Sequence, residues 1–231
     1  MKLNLDPAVL EIVPTFKLGL NHYTKVTVAE SPQMLKGRLQ LFQELLFFDL
    51  DDKPVTDFLG IKEWREVWKL FGANPSRHRH STEALMRRIA KQNYLSPFHS
   101  AVDLNNFFSL QYQIPVGIYD VDKIKGNVTL TVGTKESGYD GLNGRFNSLE
   151  KMLILSDDEG PFGSPYVDSA RTAVTEETTN SLHAFFLRPS MNEAEALELT
   201  TAAGNMFTEI SGGDVQSYVL QEDHPTIVIK E

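Results

Sequence analysis

The 231-residue chain contains no cysteine. That absence removes disulfides, zinc–thiolate centres and a cysteine nucleophile together, and leaves nothing pointing to an oxidising compartment. Long apolar runs are also missing. No stretch approaches the roughly 18 consecutive apolar residues of a membrane span, and the N-terminal MKLNLDPAVLEIVP is not apolar enough for a signal peptide. A soluble, cytoplasmic protein with no membrane partner is expected. No HExxH zinc motif occurs, and Ser164 stands between Gly163 and Pro165 rather than in the GxSxG of a nucleophile elbow. Gly138, Gly141 and Gly144 are spaced GxxGxxG but lack both the GxGxxG order and the Lys-Ser/Thr of a phosphate loop, so they read as turns. No metal or cofactor is expected. Positive charge is scarce as well: a net charge of −9 argues against a large surface for nucleic-acid backbone.

What is present is an ordinary globular composition, 41% hydrophobic and 23% charged, with no low-complexity arm. The length accommodates a sizeable core, and residues 1–231 are expected to form a single domain. Charge is unevenly spread. Between Arg77 and Lys91 five basic residues (Arg77, Arg79, Arg87, Arg88 and Lys91) face one acid, Glu83, so this segment is +4 and the rest of the chain −13. It reads either as a solvated helix face or as a local landing site for a phosphate backbone.

Along the chain, Glu11 to Ala29 reads as a strand, a turn near Gly19 to Asn21, and a second strand through TKVTVA. Ser31-Pro32 reads as an N-cap and first helical position, opening a helix with an inward face of Met34, Leu35, Leu39, Phe42, Leu45 and Leu46. A helix from Pro54 carries a stripe of Phe58, Ile61, Trp64, Val67, Trp68 and Phe71 at core spacing, and another starts at Ser81. NVTLTVG, Lys151–Ser156, Leu182–Leu187, VQSYVL and TIVIK read as strands, and Met191–Ile210 as an amphipathic helix. Strands and helices alternate without a βαβ rhythm, which predicts an α+β fold of mixed sheets packed with helices.

Two stretches stand apart. In Ser100–Gly126 a buried helical pattern through Leu110 delivers the pair Asn105-Asn106. It then gives way to Pro115-Val116-Gly117, which reads as a fixed bend with exposed backbone, and to the apolar IYDV. Such a stretch builds either a pocket wall or a corner. In Gly160–Thr178 (GPFGSPYVDSARTAVTEET) Ser164, Asp168, Arg171, Thr175 and Glu176 supply donors and acceptors among turn formers. That block reads either as a site loop or as a cap in which Asp168 pairs with Arg171.

The order Val-Asp-Leu-Asn-Asn, then Pro115, then Tyr119-Asp120 with Asp122-Lys123, resembles the editing (B3/B4) domain of the phenylalanyl-tRNA synthetase beta subunit. It is more similar still to free-standing relatives carrying PVGxYDxDK, and the Gly160–Thr178 block resembles their later segment. With Asn74–Arg77 and Ser81–Arg88, the resemblance covers roughly residues 60 to 190 and implies a B3/B4-like fold. It also implies hydrolysis in trans of the ester between a wrong amino acid and its tRNA. That ester is already activated, so a positioned water and backbone N–H groups for the oxyanion suffice.

The catalytic positions the resemblance implies are Asn106, Gly117 and Glu176. Substrate contacts are expected from Asn105, Pro115, Tyr119, Glu136, Ser164, Asp168, Arg171 and Thr175, with Glu136, Asp168 and Glu176 as acids able to test a polar group of the amino acid. Arg77, Arg79, Arg87, Arg88 and Lys91 would receive the tRNA, and the aminoacyl moiety would be the ligand. The chain departs from the synthetase pattern at Asn105, commonly Thr there, and at Gly117, where bacterial synthetases place His. It lacks the motifs of amino-acid adenylation, so it is not itself a synthetase. The alternative is a non-catalytic module that binds an amino acid or related small ligand.

Overall fold

A computed structural model describes residues 1–229; the end of the expected TIVIK strand, Lys230, lies outside the described residues. The secondary structure begins β1 Lys2–Leu5, α1 Pro7–Ile12, β2 Leu18–Thr24, α2 Gln33–Asp52, α3 Leu59–Leu70 and α4 Ser81–Ile89. It continues α5 Ser100–Tyr112, β3 Val116–Asp120, β4 Val128–Val132, β5 Gly138–Asp140, β6 Phe146–Ser148, β7 Leu153–Asp157 and β8 Gly160–Gly163. β9 Ser181–Phe186, α6 Glu193–Ser211, β10 Asp214–Leu220 and β11 Thr226–Val228 complete it. One sheet runs β11-β1-β4-β7-β8 and a second β10-β2-β9-β3, with β5 and β6 forming a separate hairpin. All pairings between these strands are antiparallel except β1 with β4, so the fold is α+β with mixed sheets against helices. None of the described helices is long and apolar enough to cross a membrane.

The main core joins Leu3, Leu130 and Leu155 of the first sheet to Leu20, Val116 and Phe185 of the second. A smaller cluster of Leu46, Ile61, Met86 and Ile89 ties α2, α3 and α4 together. Trp64 and Trp68 lie inside the main core, where Trp64 Nε1 donates to Phe186 O at 3.1 Å, which leaves them unable to stack on a base.

Five local expectations are corrected, the first being the strand through TKVTVA: β2 ends at Thr24 and residues 25–29 are irregular. Glu11 and Ile12 end α1, because Asp6 accepts from the Ala8 N–H as an N-cap and Pro7 fits the first helical position. Gly19 lies inside β2 rather than in a turn: a Cβ there would be 2.4 Å from Thr200 Oγ1, so glycine lets α6 press onto the strand. Ser31 does not cap α2, since its hydroxyl donates to Asp103 Oδ2, and Met34 and Leu45, expected inside, are 70% and 56% exposed. Finally, Pro115-Val116-Gly117 is not a bend. Gln113, with φ of 56°, makes the turn, and Gly117 lies within β3, paired with Ala184 of β9.

Candidate functional site

The helix α5 places Val102, Asn105, Asn106 and Ser109 at i, i+3, i+4 and i+7, hence on one face. That face forms one wall of a cavity of about 630 Å³. Val116, Ile118 and Tyr119 of β3 form a second wall and Ser81, Ala84, Leu85 and Arg88 of α4 a third. Leu142 and Asn143, at the tip of the β5–β6 hairpin, and Tyr166 to Ser169, after β8, close the remainder. The lining is mainly apolar with a few polar groups, the pattern of a small-molecule site.

Asp168 is partly buried in this wall. Tyr119 Oη donates to its Oδ1 at 2.8 Å and the Ser164 N–H at 3.3 Å, whereas Oδ2 has no hydrogen-bond partner among the described residues. The tyrosine has room because both neighbours are glycines. A Cβ on Gly117 would lie 2.1 Å from the Tyr119 hydroxyl, and one on Gly163 would lie 2.4 Å from it. Desolvation pushes the Asp168 carboxyl up from 3.8 to about 7, against the opposing effect of the Tyr119 and Ser164 hydrogen bonds. Burial likewise raises Tyr119 and Tyr139 well above the usual phenol range.

A stability effect follows with a definite sign. Between pH 3.8 and about 7 the folded state holds the Asp168 proton and the unfolded chain does not, so its contribution to stability is full at low pH and is lost as pH rises through about 7. Asp168→Asn is therefore expected to raise the urea midpoint at pH 8 and to leave it nearly unchanged at pH 4.

Asn105 is oriented by a buried chain that sequence reasoning missed. Asn21 Nδ2 donates to Thr200 O at 2.8 Å and to Tyr23 Oη at 3.2 Å. Tyr23 Oη lies 3.3 Å from His183 Nδ1, and His183 Nε2 lies 3.2 Å from Asn105 Oδ1. Because Tyr23 receives a proton from Asn21, its own hydrogen goes to Nδ1; Nε2 then carries the imidazole hydrogen and donates to Asn105 Oδ1. Burial lowers the His183 pKa to about 3, so the ring is neutral, as this order of donors requires. The Asn105 Nδ2 hydrogens are left for the cavity, and the Asn106 side chain makes no hydrogen bond among the described residues. His183 was hidden in the apolar run of β9, and only its being the one polar side chain between Leu182 and Phe186 marked it.

The remaining sequence-selected residues divide cleanly. Pro115 is buried ahead of β3, its carbonyl accepting from the Phe186 N–H at 3.0 Å. Gly117 lies beneath the Tyr119–Asp168 pair. Ser164 is buried in the turn after β8, donating to Val167 O at 2.9 Å. Arg171 does not pair with Asp168: it holds Asp157 at 2.8 Å and Glu159 at 3.2 Å, away from the cavity lining. Thr175 and Glu176 are exposed in a turn outside the lining, and Glu136 is exposed and accepts from Thr134 Oγ1 at 2.8 Å.

The basic residues come together. Arg77, Arg79, Arg87, Arg88 and Lys91 line a second depression of about 540 Å³, which shares Ala84, Arg88 and Tyr166 with the first cavity. Arg87 is not wholly free, since Glu83 accepts from it at 2.8 Å and from Arg65 at 3.0 Å. Among the described residues no group of three or more His, Cys, Asp and Glu side chains is arranged to hold a metal ion.

Comparison with known proteins places this geometry in context. A model of the B3/4 domain matches residues 63–213. Uncharacterized protein YhzB of Bacillus subtilis is 34% identical over 215 residues, 92% of this chain and 96% of its own. The phenylalanine–tRNA ligase beta subunits of Bartonella henselae and Mycoplasmoides gallisepticum are 25% and 26% identical over 50% and 52% of the chain. The match spans only 14% and 16% of those two subunits. A solved N-terminal fragment of the phenylalanyl-tRNA synthetase beta subunit from Pyrococcus horikoshii aligns with 95% of this chain and 54% of its own, at a TM-score of 0.45 and 14% identity.

Proposed function

This chain belongs to the B3/4 domain family, and from that premise we propose that it binds aminoacylated tRNA and hydrolyses the ester of a mischarged amino acid in trans. The observation that carries this reading is the shared wall between the two depressions. Arg88 and Tyr166 border both the mainly apolar cavity and the cleft lined by all five basic residues. A ligand with a small cationic aminoacyl head and a polyanionic body matches that division, and the aminoacyl end of a tRNA has that form.

Within the cavity the Asn105 amide, its orientation set through His183, offers donors to an ester carbonyl, and Asn106 offers further hydrogen bonds to the ribose or to a water. No nucleophilic side chain is required, because the ester is activated and the main task is to hold a water in line with it. The proposed protein acts as one domain, and Pro115 and Gly117 serve by backbone shape rather than by side-chain chemistry. The side chains of Glu136, Ser164, Arg171, Thr175 and Glu176 have no part in this reading.

The tRNA half of the proposal has a direct test. Reversing charge at both Arg87 and Arg88 to Glu is expected to weaken tRNA binding about tenfold or more at low ionic strength and to flatten the dependence of log affinity on log salt by roughly one contact per lost cation. Filter binding from 50 to 200 mM salt reads both. Equal affinity and equal slope for the double variant and the parent would remove the cleft from the account. Binding of a free amino acid with no affinity for tRNA would favour the non-catalytic small-ligand reading.

A further inference from the structure

We propose that Asp168 is the receptor for the α-ammonium group of the aminoacyl ligand, so that the pocket accepts acyl groups with a free amino group and rejects N-blocked ones. This rests on the reading of the cavity as the aminoacyl site. It adds the chemical class of the head group and the atom that recognises it.

The geometry is that of a carboxylate short of one partner. Oδ1 is committed to the Tyr119 hydroxyl and the Ser164 N–H. Among the described residues Oδ2 accepts nothing, and no Lys, Arg or His nitrogen comes within 4.0 Å of either oxygen. Arg171, three residues away in sequence, is taken by Asp157 and Glu159. The surrounding wall is apolar, with Val116, Ile118 and Val174 among its members. A carboxylate in such a wall is costly to ionise unless a cation arrives, and a primary ammonium supplies both charge and hydrogen bonds. The glycines at 117 and 163 leave room for the Tyr119–Asp168 pair, and a Cβ at Gly117 would also come within 3.1 Å of Oδ2.

The groups facing the carboxylate are few. Tyr119 comes from β3, Tyr139 from β5 and the Ser164 N–H from the turn after β8; Arg88 of α4 lines the same cavity, and His78 packs edge-on to Tyr166, another lining residue. Both tyrosines stay neutral through the physiological range. Burial holds the empty carboxyl near a pKa of about 7, so an arriving ammonium drives off its proton. Binding at neutral pH is thereby coupled to proton release.

The test uses two non-hydrolysable probes: phenylalanine joined by an amide to 3′-amino-3′-deoxyadenosine, and the same compound acetylated on its α-nitrogen. Titration calorimetry with the full chain is expected to give affinity about ten- to a hundredfold higher for the free amine. It should also show proton release at pH 7, read from buffers of different ionisation heat. In Asp168→Asn the two probes should bind alike, with the acetylated probe unaffected by the substitution. Equal binding of both probes to the parent protein overturns the assignment while sparing the cavity. Failure of both probes to bind overturns the cavity reading and the assignment with it. Should Asp168→Asn not fold, the comparison of probes on the parent chain still decides.

Discussion

Gly117→Ala is expected to lower stability by about 1–3 kcal/mol, at the upper end of that range, and to abolish the discrimination between free and blocked amino groups. The added methyl would stand 2.1 Å from the Tyr119 hydroxyl and 3.1 Å from Asp168 Oδ2. The ring has little room to retreat, because Gly163 also packs close to it: a Cβ there would lie 2.4 Å from the same hydroxyl. Tyr119 must therefore leave Oδ1 or push the loop carrying Asp168 outward, and either movement opens a buried hydrogen bond. A fall in urea midpoint at unchanged m-value is the signature of lost stability alone. An alanine variant as stable as the parent, with the Tyr119–Asp168 bond retained, would show that the two glycines are not what the pair requires.

Glu83→Ala is expected to cost about 3 kcal/mol. The carboxylate is buried and accepts from Arg65 at 3.0 Å on both oxygens and from Arg87 Nε at 2.9 Å, tying α3 to α4. Removing it leaves Arg87 without this partner and Arg65 with only the long hydrogen bonds to Pro75 O at 3.4 Å and Ser76 Oγ at 3.5 Å. The cost falls at the lower end of the range for broken buried pairs because the arginine side chains are 20% and 40% exposed and recover part of their hydration. The same change releases Arg87 into the basic cleft, so tRNA affinity per folded molecule should rise at low salt as stability falls. A destabilisation below 1 kcal/mol, measured by denaturant unfolding, would mark the triad as a surface feature of little consequence.

The sequence carried the helical face of α5 openly. Val102, Asn105, Asn106 and Ser109 follow helical spacing, and a polar pair on an otherwise buried helix needs somewhere to go. The basic run from Arg77 to Lys91 was legible as a unit because a turn and one short helix keep neighbours in sequence neighbours in space. The block after β8 was recognisable as irregular and polar, but its pairings were not. Arg171 joins Asp157, 14 residues earlier and beyond β8, whereas Asp168 joins a tyrosine 49 residues earlier.

Long-range burial hid the rest. His183 occupies a strand buried on both faces, where no alternation distinguishes a polar relay from core. Gly19 and Gly117 looked like bends because the sequence shows a missing side chain but not the Thr200 and Tyr119 side chains that fill its place. Glu136 and Glu176 had the right chemistry and the wrong location, being exposed on turns outside the cavity.

The cavity and the cleft are proposed to act together on aminoacylated tRNA. The most direct measurement is loss of the ester from a panel of mischarged tRNAs, including Tyr on phenylalanine tRNA, with the protein at sub-stoichiometric concentration. Multiple turnovers on at least one member, reduced by Asn106→Ala and by the double Arg87 and Arg88 reversal, is the predicted result. Absence of turnover across the panel, or turnover indifferent to all three substitutions, would contradict it.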